Sequence, residues 1–471
     1  MISLPCGEGS ELPNKGKLNL KILIAGSGKV GLTLARELSE EGHDLVMIDA
    51  DSTTLERTEE QLDLLSVQGN CASMQTLVRA DVQNADLLIA CTGTDEVNLL
   101  CCMTAYQLNS NIHTIARIRD PEYVEQAYAL RDAFGLSMTF NPEKQAAEEI
   151  ERLLRYPGFL TRDSFAKGRV QIAELRIDEK SKLCNVKLTA IAGIVKAKIL
   201  ICTVLRDGKA ITPDGRFVIK EGDRVFVTAP PDQLAKLLKN LGIVTHRVRH
   251  VLLAGGGTIS YYLAQLLQGS RISVHIVEKD RERCKRLAEY LPRANIVCGD
   301  LINQSFLESE GFSSYDAMVS LTGSDELNLV LSLFGDSCHI PQIITKLAHV
   351  ENQQITEKLP LGSIICPRKL CCDTIVRYVR AMQNQTGAAK AIHSIADGRA
   401  EAMEFSVDAE TLFCDVPLKR IKLKKNMLLV AINHGNEVEI PGGDSKFNIG
   451  DRIVVVSSND DVILQVNDIF A

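Results

Sequence analysis

Between residues 21 and 51 the chain reads "KILIAGSGKVGLTLARELSEEGHDLVMIDAD", and the residues there able to do chemistry are three glycines and one acid. Gly26, Gly28 and Gly31 stand in G-x-G-x-x-G spacing. The first permits a tight turn, the second lets a pyrophosphate approach the backbone, and the third lets a helix pack closely on the preceding strand. Phosphates would meet free N–H groups at the positive end of that helix. Asp49 stands about 20 residues beyond the turn, where an acid accepts hydrogen bonds from ribose hydroxyls. A carboxylate there repels a 2′-phosphate, so NAD(H) or an adenine nucleotide fits better than NADP(H). The glycines alone would also suit a turn that binds nothing.

Three elements must position these residues. The apolar run 22–25 predicts a buried strand, "LTLARELSEEG" an amphipathic helix stopped by Gly42, and "DLVMID" a second strand that delivers Asp49. Strand, glycines, helix, strand and acid occur in that order.

The same unit then recurs. "HVLLAGGGTISYYLAQLLQGSRISVHIVEKD" (250–280) repeats the opening stretch, with Gly255 and Gly257 for the first two glycines and Glu278 for Asp49. "ADLLIACTGTDEVNLL" is echoed by "YDAMVSLTGSDELNLV", and "HTIARI" by "PQIITKL", with Lys346 where Arg117 stood. Ser260 replaces Gly31, and Glu278 is longer than Asp49. The second site is therefore left with three readings: a different nucleotide, weak binding, or none.

A β-rich segment follows each copy, and these correspond too: "VLRDGKAITPDGRFVIKEGDRVFV" aligns with "AINHGNEVEIPGGDSKFNIGDRIVVV". The expected class is α/β, with two Rossmann-like doubly wound lobes each followed by a small α+β lobe. The expected boundaries are a flexible leader 1–19, a first lobe 20–141, a crossover helix and linker 142–168 punctuated by Pro157-Gly158, and a small lobe 169–246. The second lobe is expected over 247–366, its crossover helix and linker over 367–399, and the last small lobe over 400–471.

Composition narrows the function. With 45% hydrophobic and 24% charged residues the chain is globular, and a net charge of −7 makes nucleic acid an unsuitable partner. No apolar segment is long enough to span a membrane, and the start lacks the pattern of a signal peptide. A cytoplasmic place is expected, with any membrane association made through a protein. The 14 cysteines form no C-x-x-C pair and read as reduced core thiols, with "CPRKLCC" (366–372) the one cluster to watch. His246 and His250 are spaced i, i+4 but stand where a strand begins, so no metal site is expected.

The blocks "TGTDEVNLL" (92–100) and "IARIRDP" (115–121), with the duplicated plan, resemble the TrkA family of regulatory subunits of bacterial Trk-type potassium uptake systems. The units of that family are RCK domains. The resemblance implies that NAD(H) lies across Gly26, Ser27, Gly28, Lys29 and Val30, Asp49, Thr92 and Gly93, and Arg117. In the second lobe the matching positions are Gly255, Gly257, Glu278, Thr322, Gly323 and Lys346, with ADP or ATP as further candidates at either site. It also implies a homo-oligomeric ring, a tetramer, on the inner membrane face beneath a potassium-transporting membrane subunit. Nucleotide binding would shift the ring and gate the pore.

The residues favour sensing over turnover. None of the nine tyrosines begins a Tyr-x-x-x-Lys pair, and no histidine sits in a loop shared by both copies. The shared Asp95/Asp325, Glu96/Glu326 and Asn98/Asn328 are either polar site residues or, for the two acids, caps of the next helix, which is the expected reading. A tandem-Rossmann dehydrogenase or epimerase is the alternative function, and an empty scaffold the third. The helical runs "NLLCCMTAYQLN" and "NLVLSLFGDSC" are apolar nearly all round, so they pack either within their own lobe on both sides or against a neighbour. The basic run "KRIKLKKN" (419–426) reads as a solvated turn.

Overall fold

The apolar run before each glycine turn becomes the centre of a six-stranded parallel sheet. In the first, β1 (Lys21–Ala25), β2 (Asp44–Asp49), β3 (Leu65–Gln68), β4 (Leu87–Ala90), β5 (His113–Arg117) and β6 (Met138–Phe140) lie in the order β3-β2-β1-β4-β5-β6. The order reverses between β1 and β4, which opens a crevice at their carboxyl ends, where the glycines are. β1 and β4 are apolar along nearly their whole length because helices cover both faces. This computed structural model describes residues 19–155, 159, 162–165, 168–242, 247–303, 306, 311–348, 359–383, 389–435, 437–458, 463 and 465–471. The leader up to residue 18, Pro157-Gly158 and His246 lie outside the described residues.

The first small lobe is an antiparallel sheet of β7 (Arg162–Phe165), β8 (Val170–Arg176), β9 (Leu200–Arg206), β10 (Lys209–Ile211) and β11 (Arg224–Ala229), in the order β10-β9-β11-β8-β7. The second parallel sheet repeats the first: β12 (His250–Ala254), β13 (Ser273–Glu278), β14 (Asn295–Cys298), β15 (Ala317–Ser320), β16 (Gln342–Lys346) and β17 (Ser363–Ile365) run β14-β13-β12-β15-β16-β17. The chain closes with β18 (Ala389–Ile395), β19 (Ala400–Ser406), β20 (Met427–His434), β21 (Glu437–Glu439) and β22 (Arg452–Ser457), ordered β18-β19-β22-β20-β21, the topology of the first small lobe.

The two halves trade helices. Helix Pro142–Arg155 leaves the first lobe and lays Ala146, Ala147, Ile150, Leu153 and Leu154 into the core of the second. Helix Pro367–Gln383 returns the exchange, burying Cys371, Cys372, Ile375, Val376 and Val379 in the first lobe's core. Two of the three "CPRKLCC" thiols, Cys371 and Cys372, are thus packing residues at the positions of Ala146 and Ala147. Polar contacts fix the trade: the Tyr262 hydroxyl donates to Arg119 O at 2.7 Å, and Gln342 donates to Leu153 O at 2.9 Å. Arg380 pairs with Glu41 of the first lobe at 2.6 Å and Glu401 of the last at 2.8 Å. The small lobes also share a core, in which Phe165, Cys202 and Phe226 meet Ile395, Val430 and Val456. The basic run 419–426 is largely exposed, as a solvated turn should be.

Candidate functional site

At the first turn Gly26 takes φ +108°, and a Cβ there would sit 2.9 Å from Cys91 O. Only glycine suits that backbone. Gly31 is needed for space, since its Cβ would lie 1.9 Å from Gly26 O. Gly28 caps helix Lys29–Glu40 without a side chain, so the first-turn N–H groups are left for a ligand. Asp49, however, is engaged already. Its Oδ2 accepts from the Ser27 amide at 2.6 Å and the Ser27 hydroxyl at 2.7 Å, and Oδ1 accepts from the Asp51 amide at 3.0 Å. Burial pushes this carboxyl up, but the Asp51 and Ser27 hydrogen bonds outweigh it and hold the group below the ordinary aspartate range.

The second turn solves the same problem differently. Gly255 has φ +112° and faces Leu321 O. The residue matching Ser27 is Gly256, whose amide alone donates to Glu278 Oε2, at 2.8 Å. Glu278 also accepts from the Asp280 amide at 2.9 Å and has Arg283 3.6 Å away. Ser260 is accommodated because its hydroxyl donates to Gly255 O at 2.5 Å, so a hydrogen bond stands where the first lobe has a tight glycine contact.

Behind each turn one asparagine ties two strand ends together. Asn98, fully buried, accepts from the Thr92 amide at 2.8 Å and hydroxyl at 2.7 Å while donating to Arg117 O at 2.9 Å. Asn328 does the same for the Thr322 amide and hydroxyl, both at 2.8 Å, and for Lys346 O at 3.0 Å. These asparagines are therefore braces that hold Thr92-Gly93 and Thr322-Gly323 against the basic residues. The capping expectation for the first acid of each copy is corrected. Asp95 accepts from the Arg119 and Asp120 amides at 2.7 and 2.8 Å, and Asp325 from the Ala348 amide, so each ties down the loop after the fifth strand. Thr94 makes no side-chain cap, whereas Ser324 accepts from the Leu327 amide. Glu96 instead accepts from the Tyr123 hydroxyl at 3.0 Å, and Glu326 from the Ser324 hydroxyl at 2.6 Å.

Both turns open on one cavity of about 850 Å³. The first lobe lines it with Gly28, Lys29, Val30 and Arg117; Gly26, Ser27, Gly31, Asp49, Thr92 and Gly93 are not on its wall. The second lobe supplies every residue expected there: Gly255, Gly257, Glu278, Thr322, Gly323 and Lys346. The exchanged helices close the space with Glu143 and Arg368, which occupy matching positions in "NPEKQAA" and "CPRKLCC" with opposite charge. Glu143 approaches Arg117 Nη2 at 3.5 Å. Arg117 Nε and Glu143 Oε2 are buried with no hydrogen-bond partner among the described residues. Lys346 donates to Thr322 O at 2.5 Å; burial lowers its pKa and Arg368 adds to that, against Asp325 and Glu143. The cations Arg117, Lys346 and Arg368, the acids Glu143 and Glu278, and two cradles of N–H groups thus converge. Among the described residues no group of three or more His, Cys, Asp or Glu is placed to hold a metal.

Sequence reasoning missed Glu143 and Arg368, and it missed Ser27's hold on Asp49. The signal for the first pair was the apolar stripe 146, 147, 150, 153, 154, which needs a partner that its own sheet does not offer.

The TrkA-N domain model matches residues 22–141 and 251–367, and the TrkA-C domain model matches 172–242 and 402–470. The Trk system potassium uptake protein TrkA homolog 1 of Methanosarcina mazei is 31% identical over 93% of this chain and 97% of its own length. A Trk system potassium uptake protein TrkA homolog of Archaeoglobus fulgidus is 32% identical over 94% of this chain and 98% of its own. Among solved structures, the GsuK RCK domain superposes with a TM-score of 0.60 at 18% identity, covering 96% of this chain and 95% of that one. The GsuK channel bound to NAD gives 0.59 at 18% identity over 95% of this chain and 78% of that one. These two likenesses speak to fold.

Proposed function

We propose a function from one premise: this chain belongs to the TrkA family of Trk-system potassium uptake proteins. It is a nucleotide-sensing regulatory subunit that gates a potassium-transporting membrane protein. The observation that carries the sensing part is the single cavity lined by both glycine turns and both exchanged helices. A ligand there touches four segments from two lobes, so its affinity depends on how the lobes sit. That dependence is what lets binding shift a conformational equilibrium. Coupling free energies of this kind are typically about 1–3 kcal/mol.

NAD(H) is the ligand that the residues suit best, with ADP or ATP as the alternatives. In the first lobe Gly28, Lys29, Val30 and Arg117 would hold the phosphates, with Gly26 and Ser27 shaping the turn behind them, and Asp49 would hold the ribose. In the second, Gly255, Gly257, Thr322, Gly323 and Lys346 would hold the phosphates, and Glu278 the ribose. The unpartnered Arg117 Nε suits an anion entering the cavity. The role is binding, without turnover. No helix among the described residues is long and apolar enough to cross a membrane; in this reading the membrane partner is another chain. Leu100 on helix Asp95–Leu108 and Val330 at the matching place on helix Asp325–Ser337 are 46% and 61% exposed, which supports further copies of the chain packing there as a ring.

Calorimetric titration of the full chain with NADH, NAD⁺, ADP and ATP, beside Asp49→Ala and Glu278→Ala, tests this reading. Binding without consumption of NADH, weakened by one or both variants, is the expected result. Absence of binding at millimolar nucleotide would leave the scaffold reading, and oxidation of NADH by a metabolite the dehydrogenase one.

A further inference from the structure

The second lobe carries a chemical feature that the first lacks. Cys298 ends β14 and stands in register with Glu278, the acid that holds the Gly256 amide. Cys284 lies in the first turn of helix Arg281–Tyr290, and its thiol donates to Glu278 O at 3.3 Å. The same carbonyl accepts from the amide of Gly299, the residue after Cys298, at 3.0 Å. The two thiols are thus gathered around one backbone group, and their side chains interact directly. Cys298 is exposed, while Cys284 is 8% exposed.

We propose that Cys298 and Cys284 form a peroxide-oxidisable dithiol whose disulfide latches the Glu278–Gly256 support of the second glycine turn. The exposed Cys298 thiolate takes one oxygen from a peroxide, breaking the O–O bond and releasing hydroxide or alkoxide. The Cys284 sulfur then attacks the Cys298 sulfenic acid. The S–S bond forms as the S–O bond breaks, and the hydroxyl leaves as water with the Cys284 proton. Overall two thiols and one peroxide give a disulfide, with the peroxide reduced by two electrons. A small-molecule thiol reverses the step by exchange. Burial, then the neighbouring thiol, push Cys284 up to about 11, which suits the resolving role better than the attacking one.

The placement says what the bond would do. Gly299 and Asp300, which follow Cys298, line the shared cavity, and so does Glu278. A covalent tie between the start of one helix and the end of the neighbouring strand fixes the Glu278 carbonyl between them. The first lobe has Leu55 and Gln68 at these positions, so it has no such tie. Its own interacting thiols, Cys71 and Cys101, are 5% and 0% exposed, out of an oxidant's reach.

The test needs no nucleotide, so its failure is distinct from failure of the sensing reading. Reduced full-length protein is treated with a stoichiometric amount of hydrogen peroxide, alkylated and mapped by mass spectrometry. A peptide joining Cys284 to Cys298, cleaved by dithiothreitol, is expected. It should be absent in Cys298→Ser, while in Cys284→Ser residue 298 should stop at the sulfenic acid with one equivalent of peroxide and proceed to the sulfinic acid with a second. Hydrogen exchange at residues 255–258 should slow about threefold or more on oxidation and recover on reduction. Two free thiols after peroxide treatment, a disulfide to another cysteine, or unchanged exchange in the linked protein would overturn the proposal.

Discussion

The two Rossmann-like lobes begin from nearly the same sequence and present different faces to one cavity. In the first, a serine hydroxyl and amide hold the ribose-type acid, and a tight glycine seats the helix. In the second, a bare glycine amide holds a longer acid, and a serine hydroxyl replaces the tight contact. By motif the first site matches better, yet the second lobe supplies more of the cavity wall. What the difference teaches is that glycine spacing reports whether a turn can form. Whether the acid beside it is free for a ligand depends on neighbours that the motif leaves unspecified.

Swapping the third motif residue tests the comparison most sharply. Gly31→Ser places a Cβ against the Gly26 carbonyl, and about 3 kcal/mol of destabilisation is expected, the upper end of the usual overpacking cost. The reciprocal Ser260→Gly loses one hydrogen bond and should cost about 1 kcal/mol. Denaturant unfolding of both variants measures this, and equal costs would mean that the two turns are built alike after all. The braces should not discriminate between lobes. Asn98→Leu and Asn328→Leu each strand a strand-end amide and a carbonyl, so both should lose about 2 kcal/mol. A loss confined to one lobe would break the symmetry.

The lobes also differ where the exchanged helices dock. Glu37 of helix Lys29–Glu40 faces Asp373 and Lys369 of the helix received from the other half, with Glu40 and Glu41 beside it. Burial first, then Asp373, raise its carboxyl to about 7, whereas the matching residue in the second lobe is Leu266. A carboxyl raised in the fold keeps its proton where the unfolded chain has released it. Its contribution is therefore full below the unfolded value of 4.5 and is lost as pH climbs through about 7. Glu37→Gln should abolish that fall, which is on the order of 1–2 kcal/mol between pH 5 and 8. Melting curves across this range check the slope, and an identical slope in the variant would remove Glu37 as its source.

Much of the architecture is legible in the amino-acid order alone. The duplicated strand–glycine–helix–strand–acid succession predicts both parallel sheets and places Gly26, Gly255, Asp49 and Glu278 at the carboxyl ends of the central strands. The helix exchange is not legible in this way. The stripe Ala146, Ala147, Ile150, Leu153, Leu154 says which face is buried, but amphipathic pattern does not name the partner. Glu143 and Arg368 come to the cavity only through that exchange, so their meeting with Arg117 and Lys346 is hidden with it. Asp95 shows the same limit at shorter range. An acid in a helix's first turn suits the dipole there, but its side chain is taken by the Arg119 and Asp120 amides, which only the folded β5 end supplies.

The smallest expected effect bears on the acid itself. Ser27→Ala removes the hydroxyl that donates to Asp49 Oδ2 and leaves the amide in place. A neutral hydrogen bond of that kind contributes about 0.5–1.5 kcal/mol, so a ribose competing for the same oxygen should bind about two- to tenfold more tightly. The measurement is nucleotide affinity in a Glu278→Ala background, which isolates the first lobe. Tighter binding would show that the serine restrains the first site and that the second lobe's glycine leaves its acid freer. Weaker binding would mean that the hydroxyl itself contacts the ligand. Ser27 would then be part of the cradle, and the contrast between the lobes would rest on the acids and the exchanged charges alone.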